Sequence, residues 1–73
     1  MEILDLTGLR CPLPLLKLKQ RLHTLATNQC IEVLTTDSGA LRDFPLFLRQ
    51  AGHQLQQITT SDEGVSRFII CKS

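Results

Sequence analysis

Tryptophan and tyrosine are absent, and three phenylalanines make up the whole aromatic content, 4% of a 73-residue chain. So few flat rings leave no platform on which exposed bases could stack. Neither sign of charge is in excess: eight Lys or Arg stand against seven Asp or Glu, a formal net charge of +1. That balance argues against a nucleic-acid binder held by phosphate neutralisation, while steering by a local basic patch stays open. No run approaches the roughly 18 apolar residues of a membrane span, and the N-terminus has neither the basic start nor the apolar stretch of a signal peptide. A cytoplasmic protein with no membrane partner is the expectation. Length excludes more. A chain this short buries only roughly 60% of the surface its unfolded form exposes, enough for one core and too little for a large enclosed chamber. Residues 1–73 are therefore expected to form one domain with a shallow site.

Cysteine is scarce as well. Cys11, Cys30 and Cys71 are an odd number at spacings that match no zinc or iron–sulfur pattern, and no Cys-x-x-Cys occurs. At least one thiol is then free, which fits a reducing compartment, and neither a metal nor an organic cofactor is implied. Cys30 and Cys71 fall at a strand start and near a strand end, where structural or incidental thiols are the expectation; a redox role would need one of them within about 7 Å of Cys11, Cα to Cα. His23 lies on the polar side of a helix and His53 follows another, neither in a Cys-His-Asp arrangement. A hydrolase would lack its base.

What is present is a regular alternation of elements. Glu2 to Leu6 reads as a short strand closed by Thr7-Gly8, with Gly8 supplying a positive φ or a close backbone approach. From Pro12 to about Leu25, Leu15, Leu18, Leu22 and Leu25 recur at three- and four-residue intervals, an amphipathic helix. Cys30 to Thr36 alternates Ile31, Val33 and Thr35 against Cys30, Glu32 and Leu34, a second strand. A second helix is predicted from about Phe44 to Ala51, with Asp43 as its cap, Pro45 in its first turn and Gly52 just past its end. His53–Thr60 and Val65–Lys72 read as a hairpin closed over Ser61–Gly64, Gly64 taking the left-handed position. Leu55 and Ile58 fall on opposite faces of an ideal strand, which predicts a bulge or a half-exposed edge strand. The order is βαβαββ: an α/β two-layer sandwich with a mixed sheet of about four strands and two helices on one face.

The most informative segment is Gly8-Leu9-Arg10-Cys11-Pro12-Leu13-Pro14. Proline favours the first helical position, which places Pro12 at N1, Cys11 at the N-cap and Pro14 at N3. Pro14 has no amide hydrogen, so the Leu13 N–H is the expected donor to the Cys11 sulfur. The helix N-terminus and the adjacent Arg10 both favour thiolate over thiol, and the same surroundings suit a persulfide anion. Arg10, Lys17, Lys19 and Arg21 form a basic run that is either a solvated helix face or a collar for an acidic partner. Asp37 and Asp43 serve the turn leaving the second strand and the cap of the second helix.

Gly8 to Pro14, followed by Leu15-Leu16-Lys17, resembles the signature of the TusA/SirA-like sulfur-carrier family, in which Cys-Pro-x-Pro opens the first helix. The resemblance continues through Glu32-Val33-Leu34, Thr36-Asp37, Arg42-Asp43-Phe44-Pro45 and Gly52-His53, and so spans nearly the whole chain. It departs at Asn28-Gln29-Cys30, where the family commonly has a Gly-Glu pair, so a local difference in that turn is expected. The resemblance implies a two-layer βαβαββ sandwich and a cysteine, here Cys11, that accepts sulfur as a persulfide from a cysteine desulfurase or rhodanese-like donor and hands it to an acceptor protein. It implies a sulfurtransferase acting as a carrier, rather than a stand-alone enzyme, with an indirect link to tRNA thiolation or to another sulfur or selenium pathway, and it places Asp37 and Asp43 near the Cys11 end, in a role positioning the loop or a partner. The competing classes are a non-catalytic regulatory or protein-interaction domain and an RNA-binding module.

Overall fold

The computed structural model describes residues 1–73, and its elements run β1 (Glu2–Asp5), α1 (Leu13–Thr24), β2 (Cys30–Thr35), α2 (Ala40–Ala51), β3 (Gln54–Thr60) and β4 (Ser66–Cys71). The alternation in β2 sets the sheet: Ile31, Val33 and Thr35 are fully buried, while Cys30, Glu32 and Leu34 face the other way. Across from it, antiparallel β4 places Ile70 opposite Ile31 and Phe68 opposite Val33, also fully buried. β1 pairs in parallel with the far side of β2, and β3 pairs antiparallel with the far side of β4, giving the order β1-β2-β4-β3. Parallel neighbours need a crossover, which α1 supplies between β1 and β2. α2 carries the chain to the opposite edge, and the hairpin returns β4 into the gap.

Both helices lay their apolar faces on the same side of this sheet. Leu18 and Leu22 from α1 and Phe44 and Leu48 from α2 are each four residues apart, one turn along one face, and all four are buried. The Phe44 and Phe68 rings meet at 4.8 Å with a 52° tilt, joining helix layer to sheet. Full burial of side chains this size contributes about 1.5–3 kcal/mol each. No helix is long and apolar enough to cross a membrane.

Several local expectations hold. Gly52 is left-handed at φ +82°, its N–H donating to the Arg49 carbonyl while the His53 N–H reaches Leu48, the paired bonds of a Schellman end. Gly64 is left-handed in the hairpin turn, where Ser61 N–H donates to the Val65 carbonyl at 2.9 Å. β3 is an exposed edge strand with a register shift between Leu55 and Gln57, so Leu55 and Ile58 sit opposite Ile70 and Phe68 and both face the core side.

Three expectations are corrected. α2 begins at Ala40, not Phe44: its opening amides bond back to the carbonyls of Asp37, Ser38 and Gly39, so Gly39 is the N-cap and Asp43 lies inside the first turn, not at the cap. Pro45 is consequently interior; its missing N–H leaves the Leu41 carbonyl without a helical donor, on a side where Leu41 is exposed and water can serve. α1 begins at Leu13, one residue late, with Pro12 as N-cap and Pro14 at N2.

The third correction concerns Cys30 and Cys71, which are not free thiols but a disulfide. They lie directly opposite in the β2–β4 register. Asn28 takes the left-handed conformation at φ +71°, its N–H donating to the Lys72 carbonyl at 2.7 Å while the Lys72 N–H donates to Gln29 at 2.9 Å. That is a bulge of the type usually built on glycine, with Asn28 in the glycine's role. Gln29 and Lys72 thus make a hydrogen-bonded pair, and Cys30 and Cys71 form the next pair, which exchanges no hydrogen bonds and brings side chains closer. Their Cα atoms are 4.0 Å apart. The inference of a reducing compartment therefore loses its support from these two residues.

Candidate functional site

The loop after β1 is fixed before it reaches Cys11. Asp5 accepts from both the amide and the hydroxyl of Thr7, at 2.9 and 2.7 Å, a local turn that ends the strand. The Thr7 hydroxyl, then its amide, hold the Asp5 carboxyl below the usual carboxylate range. Leu6 N–H donates to the Leu34 carbonyl and Gly8 N–H to Thr36 Oγ1, at 2.8 and 2.9 Å, which ties the loop to the end of β2. Gly8 makes this approach at φ +83°, a conformation that costs other residues about 1–2 kcal/mol. Leu9 turns inward to pack on the core. Arg10 and Cys11 are then left outside, exposed, and Cys11 is the free cysteine of the chain.

The predicted amide donor to sulfur is corrected here. Leu13 N–H donates to the Arg10 carbonyl at 2.9 Å, closing a turn around Cys11, and no side chain caps α1. Pro12, joined to Cys11 by a cis peptide bond, and the buried Pro14 frame that turn. Pro14 offers no N–H, and the Leu15 N–H has no backbone acceptor, so Leu15 supplies the first uncommitted amide of the helix.

What meets the sulfur is a carboxylate. Cys11 Sγ lies 3.9 Å from Asp43 Oδ2, a long contact in which the thiol donates. The early start of α2 explains it: Asp43 sits in the first turn facing α1 instead of bending back to cap its own helix. Arg42 Nε donates to the other oxygen of Asp43 at 3.3 Å, so the cation paired at this site is Arg42, not Arg10, which forms no ion pair. Asp37 lies at the same end of the sheet, its N–H donating to Thr35 Oγ1 at 3.1 Å and its carboxylate against Gly39, where an added Cβ would come within 3.3 Å.

The basic collar does not form. Lys17 and Lys19 are two residues apart on a helix and point to different sides: Lys17 borders a hollow with Leu4 and Arg21, whereas Lys19 Nζ lies 5.1 Å above the Phe47 ring of α2. Arg21 is committed to Glu2, whose carboxyl it holds below the usual range chiefly by hydrogen bonding. In place of a collar the first turns carry exposed leucines: Leu13 and Leu16 on α1 and Leu41 on α2. Their signal was present in the sequence, since Leu13 and Leu16 lie off the stripe of Leu15, Leu18 and Leu22. The Arg42–Asp43–Cys11 grouping had no such signal in residue spacing, because it spans 32 residues of chain; only the family resemblance pointed Asp43 to this end.

No cavity in the molecule touches Cys11. No three His, Cys, Asp or Glu side chains converge to hold a metal ion. A lone thiol presented on a shallow, leucine-edged surface can attack or be attacked by a group on another macromolecule, but it encloses nothing. The fold and site therefore define a small α/β protein whose one free thiol is exposed on an open surface. Residues 2–72 match the model of the family described as Sulfurtransferase TusA, and the chain belongs to that family of sulfur carriers. It is similar to the sulfur carrier protein TusA of Allochromatium vinosum, 39% identical over 70 residues that cover 96% of this chain and 91% of that one. The same-named protein of Pseudomonas putida is 44% identical over 55 residues, 75% of this chain and 69% of the other. Among solved structures, a SirA-like protein of Desulfitobacterium hafniense superposes with a TM-score of 0.84 at 24% identity, over 97% of this chain and 96% of that one, a likeness of fold.

Proposed function

We propose that Cys11 is the atom that carries the sulfur. Its thiolate attacks the outer sulfur of a persulfide on a donor protein; the new Cys11 S–S bond forms as the donor's S–S bond breaks, and the donor cysteine leaves as thiolate. In the second half, an acceptor thiolate attacks the outer sulfur on Cys11 and releases the Cys11 thiolate. Sulfur moves at constant overall oxidation state, so no external oxidant or reductant and no cofactor enter the exchange. The observation that supports this assignment is that Cys11 is the one cysteine both free and exposed.

The neighbouring groups divide the work. Gly8 and the Arg10–Leu13 bond fix the loop, while Pro12 and Pro14 limit the directions from which a partner sulfur approaches. The uncommitted Leu15 amide at the helix N-terminus is the available donor to a terminal sulfur anion. Asp43 is a positioning residue, accepting the resting S–H and in turn held by Arg42. With no enclosing cavity at Cys11, selectivity comes from docking: the exposed Leu13, Leu16 and Leu41 offer apolar area, Asp37 and Lys17 offer flanking charge, and Lys19 faces away. The partners this surface suits are a cysteine desulfurase or rhodanese-like donor and a thiol-bearing acceptor, in a cytoplasmic relay that serves tRNA thiolation or another sulfur pathway.

Incubation with a desulfurase and cysteine, followed by intact and peptide mass spectrometry, tests the assignment. One added sulfur on the Cys11 peptide is expected, absent in Cys11→Ser; a protein that docks the desulfurase but never gains sulfur would instead be an interaction module. Asp43→Ala is expected to fold normally and to transfer sulfur more slowly.

A further inference from the structure

The end of the molecule remote from Cys11 holds a cavity of about 400 Å³ between the C-terminal halves of the two helices. Its walls concentrate nitrogen. Lys19 and His23 come from α1, His53 from the residue before β3, and Lys72 from the residue after β4. Both histidines of the chain and two of its three lysines meet here, and none of its seven acidic residues does. In a protein with a net charge of only +1, that is a strongly one-signed site. The floor is apolar, made by Leu22, Phe47 and Ala51.

The walls are built rather than draped. Lys72 is held through its backbone bonds to Asn28 and Gln29, follows the disulfide-bonded Cys71, and anchors its Nζ to the Leu25 carbonyl at 2.9 Å. His53 accepts the Ser73 N–H at Nδ1, at 3.2 Å, which leaves its Nε2–H as a donor. The His53 ring lies 6.3 Å from that of Phe47, over which Lys19 also extends.

We infer that this cavity binds a small organic monophosphate, an anionic group attached to a ring-sized apolar body. The volume lies in the range of small-molecule sites, about 300–1,000 Å³. Phosphate is favoured over carboxylate by the donor set. Lysine binds phosphate as a point charge, and lysine and imidazole N–H groups brought from three separate parts of the chain suit a tetrahedral anion with acceptor oxygens on several sides better than a planar carboxylate. The apolar floor is what distinguishes an organic phosphate from the inorganic ion.

Adenosine 5′-monophosphate is a suitable probe, titrated into the ¹⁵N-labelled full chain with amide shifts followed residue by residue. Saturable shifts are expected at Lys19, His23, Phe47, His53 and Lys72, with the amides around Cys11 unmoved. Lys19→Ala and His23→Ala, both at exposed positions, are each expected to weaken binding by about fivefold while leaving the remaining spectrum folded. Inorganic phosphate and adenosine alone are expected to bind more weakly than the monophosphate. Tighter binding of benzoate than of the monophosphate would overturn the phosphate assignment. Shifts centred on Cys11, or none that saturate by about 10 mM, would overturn the site. Cys11→Ser is expected to bind the probe unchanged, so failure here and failure of sulfur loading are read separately.

Discussion

Two sulfur sites occupy opposite ends of one sheet, and they differ in almost every physical respect. Cys11 follows the C-terminal end of β1, whereas Cys30 opens the parallel neighbour β2, so the length of β2, about 20 Å, separates them. Cys30 and Cys71 are covalently paired, locked into register by the Asn28 bulge, and Cys71 is 5% exposed. Cys11 is unpaired and exposed, on a loop whose backbone is tied at both ends while its side chain is left outside. Exchange of sulfur requires an accessible free sulfur and a clear line of attack, which the first end has and the second lacks. The comparison teaches that the resolving-cysteine mechanism, in which a second thiol closes onto the first, is closed to this chain by topology.

The sharpest way to break this contrast is to exchange the roles by mutation. Cys11→Ser is expected to abolish sulfur loading outright, and the double variant Cys30→Ser with Cys71→Ser to keep it, both by intact mass spectrometry with a desulfurase. The reverse pattern would move the chemistry to the other end. Next in size is the disulfide's contribution to folding. It closes a loop of 41 residues, so reduction is expected to lower stability by about 4 kcal/mol in urea unfolding, with Cys11 alkylation still proceeding in the reduced folded protein.

Smaller effects sharpen the account of the Cys11 end. Gly8→Ala meets no atom within 4 Å of its new Cβ, so its cost is backbone strain alone, about 1–2 kcal/mol by chemical denaturation. Asp43→Asn keeps an acceptor for the thiol but removes a negative charge 3.9 Å from it; at a surface this is worth about 1 kcal/mol, so alkylation of Cys11 by iodoacetamide should accelerate roughly fivefold. A slower reaction would make Asp43 an activator rather than a positioning group. Smallest is the acid response. Glu2 and Asp5 are both lowered by their partners Arg21 and Thr7. Each binds its proton more readily when unfolded, so its stabilisation is in place above the ordinary carboxylate range and is lost as pH falls through the lowered values, below about pH 4. Glu2→Gln should flatten that part of the urea-midpoint profile and leave Cys11 reactivity untouched.

Much of the fold was legible because it is written in short-range periodicity. The alternation in β2, the leucine spacing in α1, the glycines at 8, 52 and 64, and the bulge implied by Leu55 and Ile58 each follow from local geometry. Pro45 misdirected the start of α2: proline's preference for a first turn outweighed the run Ala40, Phe44, Leu48, which marks the buried stripe from its true beginning. Cys11 was legible from its prolines, but its surroundings were legible only through the family resemblance, which pointed Asp37 and Asp43 to this end without giving the contact. The Asp43 contact depends on how two helices from distant parts of the chain pack, and the Cys30–Cys71 bond depends on β4 inserting beside β2. The Leu13 amide expected at the sulfur was satisfied instead by the nearest carbonyl, that of Arg10, a competition decided by the turn's backbone and invisible in residue types.

The claim on which the rest stands is that sulfur resides on Cys11 between donor and acceptor. Peptide-resolved mass spectrometry of the full chain, after a desulfurase and isotopically labelled cysteine, addresses it directly. One labelled sulfur on the peptide bearing Cys11, discharged when an acceptor thiol is added, is the predicted result. Label found only on the peptides bearing Cys30 or Cys71, or none on a properly folded chain with a competent donor, would contradict it.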